Sequence, residues 1–382
     1  MSSTRLTELR QQISNVNLAL LDLLSERGRL VMQVFEEKQR ANIPIYVPER
    51  EQELLNELIA HNTGPFSNDT IRYLFHEILR ASTDIMEAQQ SKCLQVSRAT
   101  HAEDLVIPFA DVALGAAPSI IAGPCAIESE GQLDAVGACL RRHGIRFLRG
   151  GAFKPRTSPY AFQGLGKLGL ELMKEIGQRH GLVTISEVTD TRLVELVAEH
   201  VDVLQIGSRN MFNYDLLMEA GKTGKPVLLK RGLCATIEEY LQAAEYVVLQ
   251  GNRQVVLCER GIRTYERSTR NTLDISSVPL LRQMSYLPVI VDVSHAAGRK
   301  DILAPLGRAA LAAGANGLMV EIHPFPATAR SDSRQQLDFT EFEAFLKELA
   351  WPWAAVDSDL LFPAHAVNVI EKGRRDEVFG SL

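Results

Sequence analysis

The first ninety residues carry apolar side chains at helical spacing. Apolar positions recur at steps of three and four from residue 5 to about residue 40, with no proline between them: Leu6, Leu9, Ile13, Val16, Leu20 and Leu23. This pattern predicts one helix of roughly 35 residues, about 50 Å long. Such a helix cannot bury its apolar stripe within its own small domain, so we expect a second copy of the chain to cover it in a homodimer or homotetramer. Two shorter helices are predicted at 49–60 and 67–90.

From residue 119 the pattern changes to short β-rich apolar runs that alternate with helical stretches. The runs predict strands at 119–122, 146–149, 182–186, 203–206, 226–229, 254–257, 288–291 and 317–320. The helical stretches include 165–178, 192–198, 214–220, 237–249 and 301–313. This alternation predicts an α/β fold, a (β/α)8 or TIM barrel. A doubly wound open sheet is the competing architecture, but it usually carries a glycine-rich phosphate turn after its first strand, and Gly123-Pro124-Cys125 is not one.

The two patterns divide the chain into an all-α three-helix domain at 1–90 and a barrel domain at 119–348. Residues 91–118 lack a sustained stripe and are interpreted as a linker with room for a short hairpin. Residues 349–382 form a C-terminal extension to which we assign no function.

Composition narrows the class of protein. The chain has 382 residues, 46% of them hydrophobic and 23% charged, with a net charge of −6, so its bulk charge gives no reason to expect a nucleic-acid partner. No secretion signal and no run of about 18 apolar residues is present, so we expect no membrane association. The five cysteines are odd in number and widely spread, which favours a reducing cytoplasm over a disulfide framework.

Cationic residues follow four of the predicted strands. Arg149 ends the second strand and Lys154 comes after it, Arg209 follows the fourth strand, Lys230 the fifth and Arg260 the sixth. Because the carboxyl ends of barrel strands surround one cavity, these side chains should converge. A lone lysine at a strand end is usually a solvated charge, but several converging cations repel one another unless they bind anions. Arginine and lysine together suit phosphate and carboxylate groups.

A second group of polar residues lies at the ends of the first, seventh and eighth strands. It consists of Cys125, His295, Glu321 and Asp332. Each has an ordinary alternative interpretation as a buried cysteine, a capping histidine or a surface acid. Together, a thiolate, an imidazole and two carboxylates suit a divalent transition metal, which can act as a Lewis acid on a carbonyl oxygen.

Seven segments of the barrel carry a family resemblance. They are IAGPCAIES, LRGGAFKPRTSPYAFQGLG, IGSRNMFNYDLL, VLLKRG, CERGIRTYERSTRNTLD, PVIVDVSHAAGRKD and MVEIHP followed by SDSRQQ. They span most of 119–348 and closely resemble the type I beta 3-deoxy-D-arabino-heptulosonate 7-phosphate (DAHP) synthases. Every segment falls where the predicted barrel needs it.

The resemblance implies a metal-dependent condensation of phosphoenolpyruvate with erythrose 4-phosphate, the first step of the shikimate pathway. The implied metal ligands are Cys125, His295, Glu321 and Asp332, with manganese as the expected ion and iron, cobalt and zinc as alternatives. The implied ligands of phosphoenolpyruvate are Arg149, Lys154, Arg209, Lys230 and Arg260. Arg156 and Thr157 would hold the phosphate of erythrose 4-phosphate, and Lys154 or a metal-bound water would donate a proton.

The N-terminal domain resembles the all-helical chorismate mutases, which are helix-swapped dimers. The residues that match the ligand-binding pattern of that family are Arg10, Arg27, Lys38, Arg50, Glu51 and Ser82. On the long helix Arg27 and Lys38 are eleven residues apart and so point the same way. The resemblance therefore implies a site for chorismate or prephenate.

Two residues depart from the mutase pattern. Val47 stands where these mutases usually carry Asp, and Met86 stands where they carry Gln or Glu, whose side chain contacts the ether oxygen of the breaking bond. A thioether cannot donate that hydrogen bond. We therefore expect a domain that binds chorismate or prephenate as a feedback regulator and turns it over weakly. A fully bifunctional synthase and mutase is the alternative, and the complete set of cations and metal ligands argues against a third, a non-catalytic binding protein.

Overall fold

A computed structural model describes residues 2–351 except 42, 93, 156, 157 and 159. The chain forms two compact units, one from Met1 to Cys93 and one from Leu94 onward. Two predictions lie outside the described residues: the roles of Arg156 and Thr157, and the extension beyond Trp351.

The described residues of the first unit form three helices, as predicted. They are α1 (Ser2–Arg40), α2 (Pro48–Ala60) and α3 (Asn68–Lys92). Both α1 and α2 pack against α3. The apolar stripe of α1 stays open to solvent, with Leu9 at 45% and Leu23 at 62% exposure. A second copy that covers this stripe remains a prediction.

The described part of the second unit contains a closed barrel of eight parallel strands. In chain order they are β3 (Ser119–Gly123), β4 (Phe147–Arg149), β5 (Val183–Val188), β6 (Val203–Ile206), β7 (Val227–Lys230), β8 (Val255–Glu259), β9 (Val289–Asp292) and β10 (Gly317–Glu321). The last strand, β10, pairs in parallel with both β9 and β3, so the sheet closes on itself. The (β/α)8 barrel is thus confirmed, and the open doubly wound sheet is excluded.

Helices fill the connections between the strands and cover the outside of the barrel. They are α4 (Glu130–Arg142), α5 (Lys167–His180), α6 (Val194–Ala198), α7 (Tyr214–Lys222), α8 (Ile237–Val248), α9 (Ser277–Met284), α10 (Val293–Ala297), α11 (Leu303–Ala312) and α12 (Phe339–Glu348). Their apolar faces pack on the outward-facing strand residues in one large core. The predicted helical stretches all contain helices, and α4, α9, α10 and α12 were not singled out from the sequence.

Several strands run further than the sequence pattern predicted. The polar residues Lys230, Glu259, Asp292 and Glu321 were placed after their strands, yet each is the last residue of its strand. The strand pairing includes these residues, and their polar side chains pair with other charged groups at this end of the barrel. Apolar patterning therefore stops before the strand does.

The segment interpreted as a linker contains an antiparallel hairpin, β1 (Ile107–Phe109) and β2 (Val112–Leu114). Ile107 and Leu114 are fully buried and pack with Phe147, Val203 and other inward-facing residues near the starts of the barrel strands. The hairpin therefore closes the N-terminal end of the barrel with apolar contacts. Residues 94–118 belong to the barrel unit.

None of the described helices is long and apolar enough to cross a membrane.

The hairpin gives a stability prediction. Leu114→Ala should lower the free energy of unfolding of the barrel unit by about 2–5 kcal/mol, because it leaves a cavity in a fully buried cluster. Leu280→Ala, on a leucine that is 44% exposed, should stay within about 0.5 kcal/mol. Urea unfolding followed by circular dichroism measures both. Equal, small effects would show that the hairpin does not seal the barrel.

Candidate active site

A cavity of about 400 Å³ opens at the C-terminal ends of the barrel strands. Arg149, Lys154, Arg209, Lys230 and Arg260, the five cations predicted from the sequence, all line it. The other described lining residues are Pro155, Glu187, Gln205, Gly207, Ser208, Leu233, Arg263, Arg270, Asn271, His295 and Asp332. Seven of the described lining residues are Lys or Arg and two are Asp or Glu, so the cavity has a marked excess of positive charge.

Some of these cations have carboxylate partners and some do not. Arg149 Nη1 lies 2.5 Å from Glu321 Oε1, and Lys230 Nζ lies 2.5 Å from Asp292 Oδ2. The guanidinium of Arg260 is buried, and within the described part of the chain its recorded hydrogen bond goes to the carbonyl oxygen of Gly261. Burial away from water lowers the pKa of Arg260 from its usual range. A bound anion would relieve the cost of this buried, unneutralised charge.

The second predicted group also comes together. One ligand atom from each of Cys125, His295, Glu321 and Asp332 lies within 4.8 Å of all the others. His295 Nε2 is 3.4 Å from Glu321 Oε1, and Cys125 Sγ is 3.4 Å from Asp332 Oδ2. A thiol, an imidazole and two carboxylates at this spacing fit a divalent transition metal.

The carboxylates of this cluster carry the negative charge that would attract a metal cation. Burial alone would raise the pKa of Glu321, but His295 and Arg149 outweigh it and lower that pKa to about 2. Burial, and then the charge of Glu321, raises the pKa of the Cys125 thiol to about 11. Without a metal the carboxylate is therefore ionised and the thiol protonated at neutral pH. A divalent ion would supply the positive charge that displaces the thiol proton.

The loop after β10 holds Asp332 in a left-handed backbone conformation, with φ of 48°. Arg270 donates to Asp332 Oδ2 over 3.1 Å, and the neighbouring Ser331 Oγ lies 2.9 Å from Cys125 Sγ. Few residues other than glycine adopt this conformation, but Asp tolerates it better than most. These contacts turn the carboxylate of Asp332 towards the cluster.

Four charged residues of the site were given no role from the sequence. Arg263 and Arg270 lie in the long loop after β8, where no strand end indicates their direction. Glu187 and Asp292 lie within strands β5 and β9. Burial alone would raise the pKa of Asp292, but His295 and Lys230 hold it well below its usual range. A carboxylate three residues before a candidate histidine ligand is the signal that could have identified Asp292.

Sequence comparison assigns the barrel to a known family. The family model described as the DAHP synthetase I family matches residues 95–353, more than half of the chain. The chain belongs to the DAHP synthetase I family. A second family model, chorismate mutase type II, matches residues 9–87. The predicted combination of a DAHP synthase barrel with an N-terminal chorismate mutase domain is confirmed.

Individual relatives agree with this assignment. The phospho-2-dehydro-3-deoxyheptonate aldolase of Thermotoga maritima is 51% identical over 255 residues, which cover 66% of this chain and 75% of that protein. A 2-dehydro-3-deoxyphosphooctonate aldolase of Syntrophotalea carbinolica is 32% identical over 263 residues, which cover 64% of this chain and 94% of the relative. The crystal structure of the Thermotoga maritima enzyme, titled DAHP synthase, matches with a TM-score of 0.66 at 50% identity, covering 67% of this chain and 75% of that one.

In the helical domain the predicted ligand residues fall into separate places. Arg27 Nη1 hydrogen-bonds Ser82 Oγ, and Lys38 Nζ donates to the carbonyl oxygen of Ile45 over 2.5 Å. Glu51 Oε1 lies 3.4 Å from His76 Nδ1. Arg10 is 17 residues before Arg27 on α1 and therefore about 25 Å away.

One chain therefore cannot bring Arg10 and Arg27 to the same small ligand. A site that uses both requires a second copy of the domain. Arg50, the remaining predicted ligand, is exposed and pairs with Glu53 on its own helix.

The two positions that depart from the mutase pattern lie at the start of α2 and within α3. Val47 is the N-cap residue of α2 and provides no side-chain hydrogen bond to the helix. Asp at this position could accept a hydrogen bond from the first turn of α2. Met86 is buried within α3, with 8% of its surface exposed.

The metal cluster gives a binding prediction. The protein should bind one divalent ion per chain at this cluster, and Cys125→Ala should remove that tightly bound ion because it removes the sulfur ligand. Cys139→Ala is the matched control, because Cys139 is also a free, buried cysteine but lies on α4 outside the cluster. Elemental analysis after gel filtration with limiting manganese measures the stoichiometry. Retention of a full equivalent by Cys125→Ala would show that the ion binds elsewhere.

Proposed function

We propose that the enzyme condenses phosphoenolpyruvate with erythrose 4-phosphate to DAHP at this cavity, with a bound divalent metal. The observation that carries the proposal is that one cavity joins an excess of cations to a thiol, imidazole and carboxylate cluster. Phosphoenolpyruvate carries a phosphate and a carboxylate, which match the cations. The identity to a phospho-2-dehydro-3-deoxyheptonate aldolase supports the same reaction. Manganese is the expected ion, with iron, cobalt and zinc as alternatives.

The cations differ in the depth at which they would meet the substrate. Arg149, Lys154, Lys230 and Arg260 are each less than a tenth exposed, whereas Arg209 is exposed and lies in the short 3-10 helix Ser208–Asn210 after β6. The buried set would hold phosphoenolpyruvate away from water, where charge-assisted hydrogen bonds are strongest. Arg156 and Thr157 remain the proposed ligands of the sugar phosphate on the strength of the family resemblance.

The proposed chemistry divides between the two groups of residues. When bound, the metal would act as a Lewis acid on the aldehyde oxygen of erythrose 4-phosphate. C3 of phosphoenolpyruvate forms the new bond to the aldehyde carbon, water adds at C2, and inorganic phosphate leaves. Lys154 Nζ lies 3.2 Å from Cys125 Sγ and lines the cavity, so it stands between the anion site and the cluster. From there its ammonium can donate a proton to the oxygen of the former aldehyde.

For the helical domain we propose a regulatory role. It would bind chorismate or prephenate, lower synthase activity, and catalyse the mutase reaction weakly. The contact of Arg27 with Ser82 supports a retained cationic site, and the buried thioether of Met86 supports weak turnover. Regulation requires that the ligand favour one arrangement of the protein over another. A fully active mutase is the alternative that Met86 argues against.

We also propose that the enzyme works in the cytoplasm. The cysteines in the described part of the chain, Cys125, Cys139, Cys234 and Cys258, are all free, which suits a reducing compartment.

The anion cluster gives a kinetic prediction. Lys230→Ala and Arg209→Ala should impair the use of phosphoenolpyruvate, and Arg156→Ala should mainly impair the use of erythrose 4-phosphate. Each loss should be roughly ten- to a hundredfold in kcat/KM, because charge-assisted contacts are worth about 1.5–3 kcal/mol. Steady-state kinetics with each substrate varied in turn measures this. Lys222→Ala, an exposed lysine on α7, is the control. Unchanged kinetics in all three site variants would show that these cations are solvated charges that bind neither substrate.

Position 86 gives a prediction for the mutase reaction. Met86→Gln should raise mutase turnover more than it changes chorismate affinity, because the restored hydrogen bond belongs to the transition state. The conversion of chorismate to prephenate is followed by absorbance, and Met284→Gln, at a methionine that is 43% exposed, is the control. Wild-type turnover equal to that of ordinary helical mutases would contradict the regulatory interpretation.

A further inference from the structure

Asp292 connects the two halves of the active site. It is the last residue of β9 and is fully buried. Its Oδ2 lies 2.7 Å from His295 Nδ1 and 2.5 Å from Lys230 Nζ, and its Oδ1 accepts a hydrogen bond from the backbone N–H of His295 over 2.9 Å. One carboxylate oxygen therefore touches both a candidate metal ligand and a candidate ligand of phosphoenolpyruvate.

The contact with His295 sets which ring nitrogen is free. An ionised carboxylate can only accept hydrogen bonds, so His295 Nδ1 carries the proton. The lone pair of neutral imidazole is then on Nε2, which lies 3.4 Å from Glu321 Oε1 and 3.9 Å from Asp332 Oδ2. The nitrogen that can bind a metal thus faces the other metal-ligating groups.

The contact with Lys230 sets the place of an ammonium group. Lys230 is 4% exposed, and Asp292 is its carboxylate partner within the described residues. One N–H of the ammonium group points to Asp292, and two remain for an anion in the cavity.

We propose that Asp292 is a positioning residue that holds His295 in its metal-binding tautomer and Lys230 in its anion-binding place. The metal site and the phosphoenolpyruvate site would then depend on one buried carboxylate. This inference rests on the proposed function, because it assumes that both ligands bind in this cavity.

Asp292→Asn is the informative substitution, because an amide cannot replace all three contacts. If its oxygen replaces Oδ2, its NH₂ group faces the backbone N–H of His295, and two donors oppose each other. If its oxygen replaces Oδ1, the NH₂ group faces Lys230 Nζ and His295 Nδ1. The histidine must then move its proton to Nε2, which removes the metal-binding lone pair.

A matched control lies on the neighbouring strand β8. Glu259 is the last residue of β8, is fully buried, and pairs with Arg231 over 2.9 Å. Within the described residues, the other hydrogen bonds of that pair's side chains go to Asp274, Ser277, the carbonyl oxygen of Ala235 and the backbone N–H of Gly261, and none goes to a candidate metal ligand. Glu259→Gln therefore disturbs a buried ion pair at the same end of the barrel but leaves the contacts of Asp292 with His295 and Lys230 in place.

The test measures binding rather than turnover. Manganese affinity is measured on the full-length protein by competition with a chelating dye, and phosphoenolpyruvate affinity on the metal-free protein by calorimetry. Asp292→Asn should weaken manganese binding by roughly 10–100-fold and phosphoenolpyruvate binding by about tenfold. Glu259→Gln should keep the manganese affinity at the wild-type level even if its melting temperature falls. Wild-type manganese affinity in folded Asp292→Asn would overturn the proposal.

A second measurement needs no folded variant. Side-chain ¹⁵N spectra of the metal-free wild-type protein, with the His295 signals assigned from their loss in His295→Ala, report the tautomer directly. Protonated Nδ1 and bare Nε2 are expected, and the opposite tautomer would overturn the proposal. Failure of the wild-type protein to bind either ligand would count against the proposed function instead, so the two failures are distinguishable.

Discussion

The repulsion among seven cationic side chains around one cavity is the constraint on which the site depends. Such a group is stable only if buried carboxylates or bound anions offset its charge. Glu321 and Asp292 meet this need within the protein, since they pair with Arg149 and Lys230. Because Glu321 is also a candidate metal ligand, one carboxylate would both neutralise the proposed anion site and take part in the proposed metal site. Arg260 keeps no carboxylate partner among the described residues, and we assign its charge to the substrate.

The barrel makes this arrangement possible by separating its two ends. The hairpin of β1 and β2 fills the N-terminal end with apolar side chains, so that end of the barrel is sealed. Five of the eight strands, β4 and β7 to β10, end in a charged residue, and the closed sheet brings these groups, distant in sequence, to one end of the barrel. Cys125 and Asp332 are 207 residues apart in the chain yet lie 3.4 Å apart, because β3 and β10 are neighbours in the closed sheet.

Much of this could be predicted from the sequence because a barrel strand shows two signals together. Its apolar run gives the strand, and the polar residues at the end of the run face the cavity. This signal located most of the five cations and of the four candidate metal ligands, and the family resemblance supported Lys154 and Asp332, which lie further along their loops. Arg263 and Arg270 were not predicted as site residues because they lie in a long loop, where the sequence does not indicate which way a side chain points. The role of Asp292 was not predicted because it depends on contacts with Lys230 on β7 and His295 on α10. In the helical domain, residue spacing showed that Arg27 and Lys38 share a face of α1. The match of residue types to the mutase family did not show that Arg10 and Arg27 are too far apart along α1 to reach one ligand within a single chain.

The central claim is that one cavity holds both a divalent metal and phosphoenolpyruvate. Anomalous X-ray diffraction from crystals grown with manganese and phosphoenolpyruvate tests it most directly. The account predicts one manganese peak among Cys125, His295, Glu321 and Asp332, with density for the phosphate and carboxylate of the substrate against Lys230 and Arg260. A manganese peak away from these four residues, or substrate density outside the cavity, would contradict it.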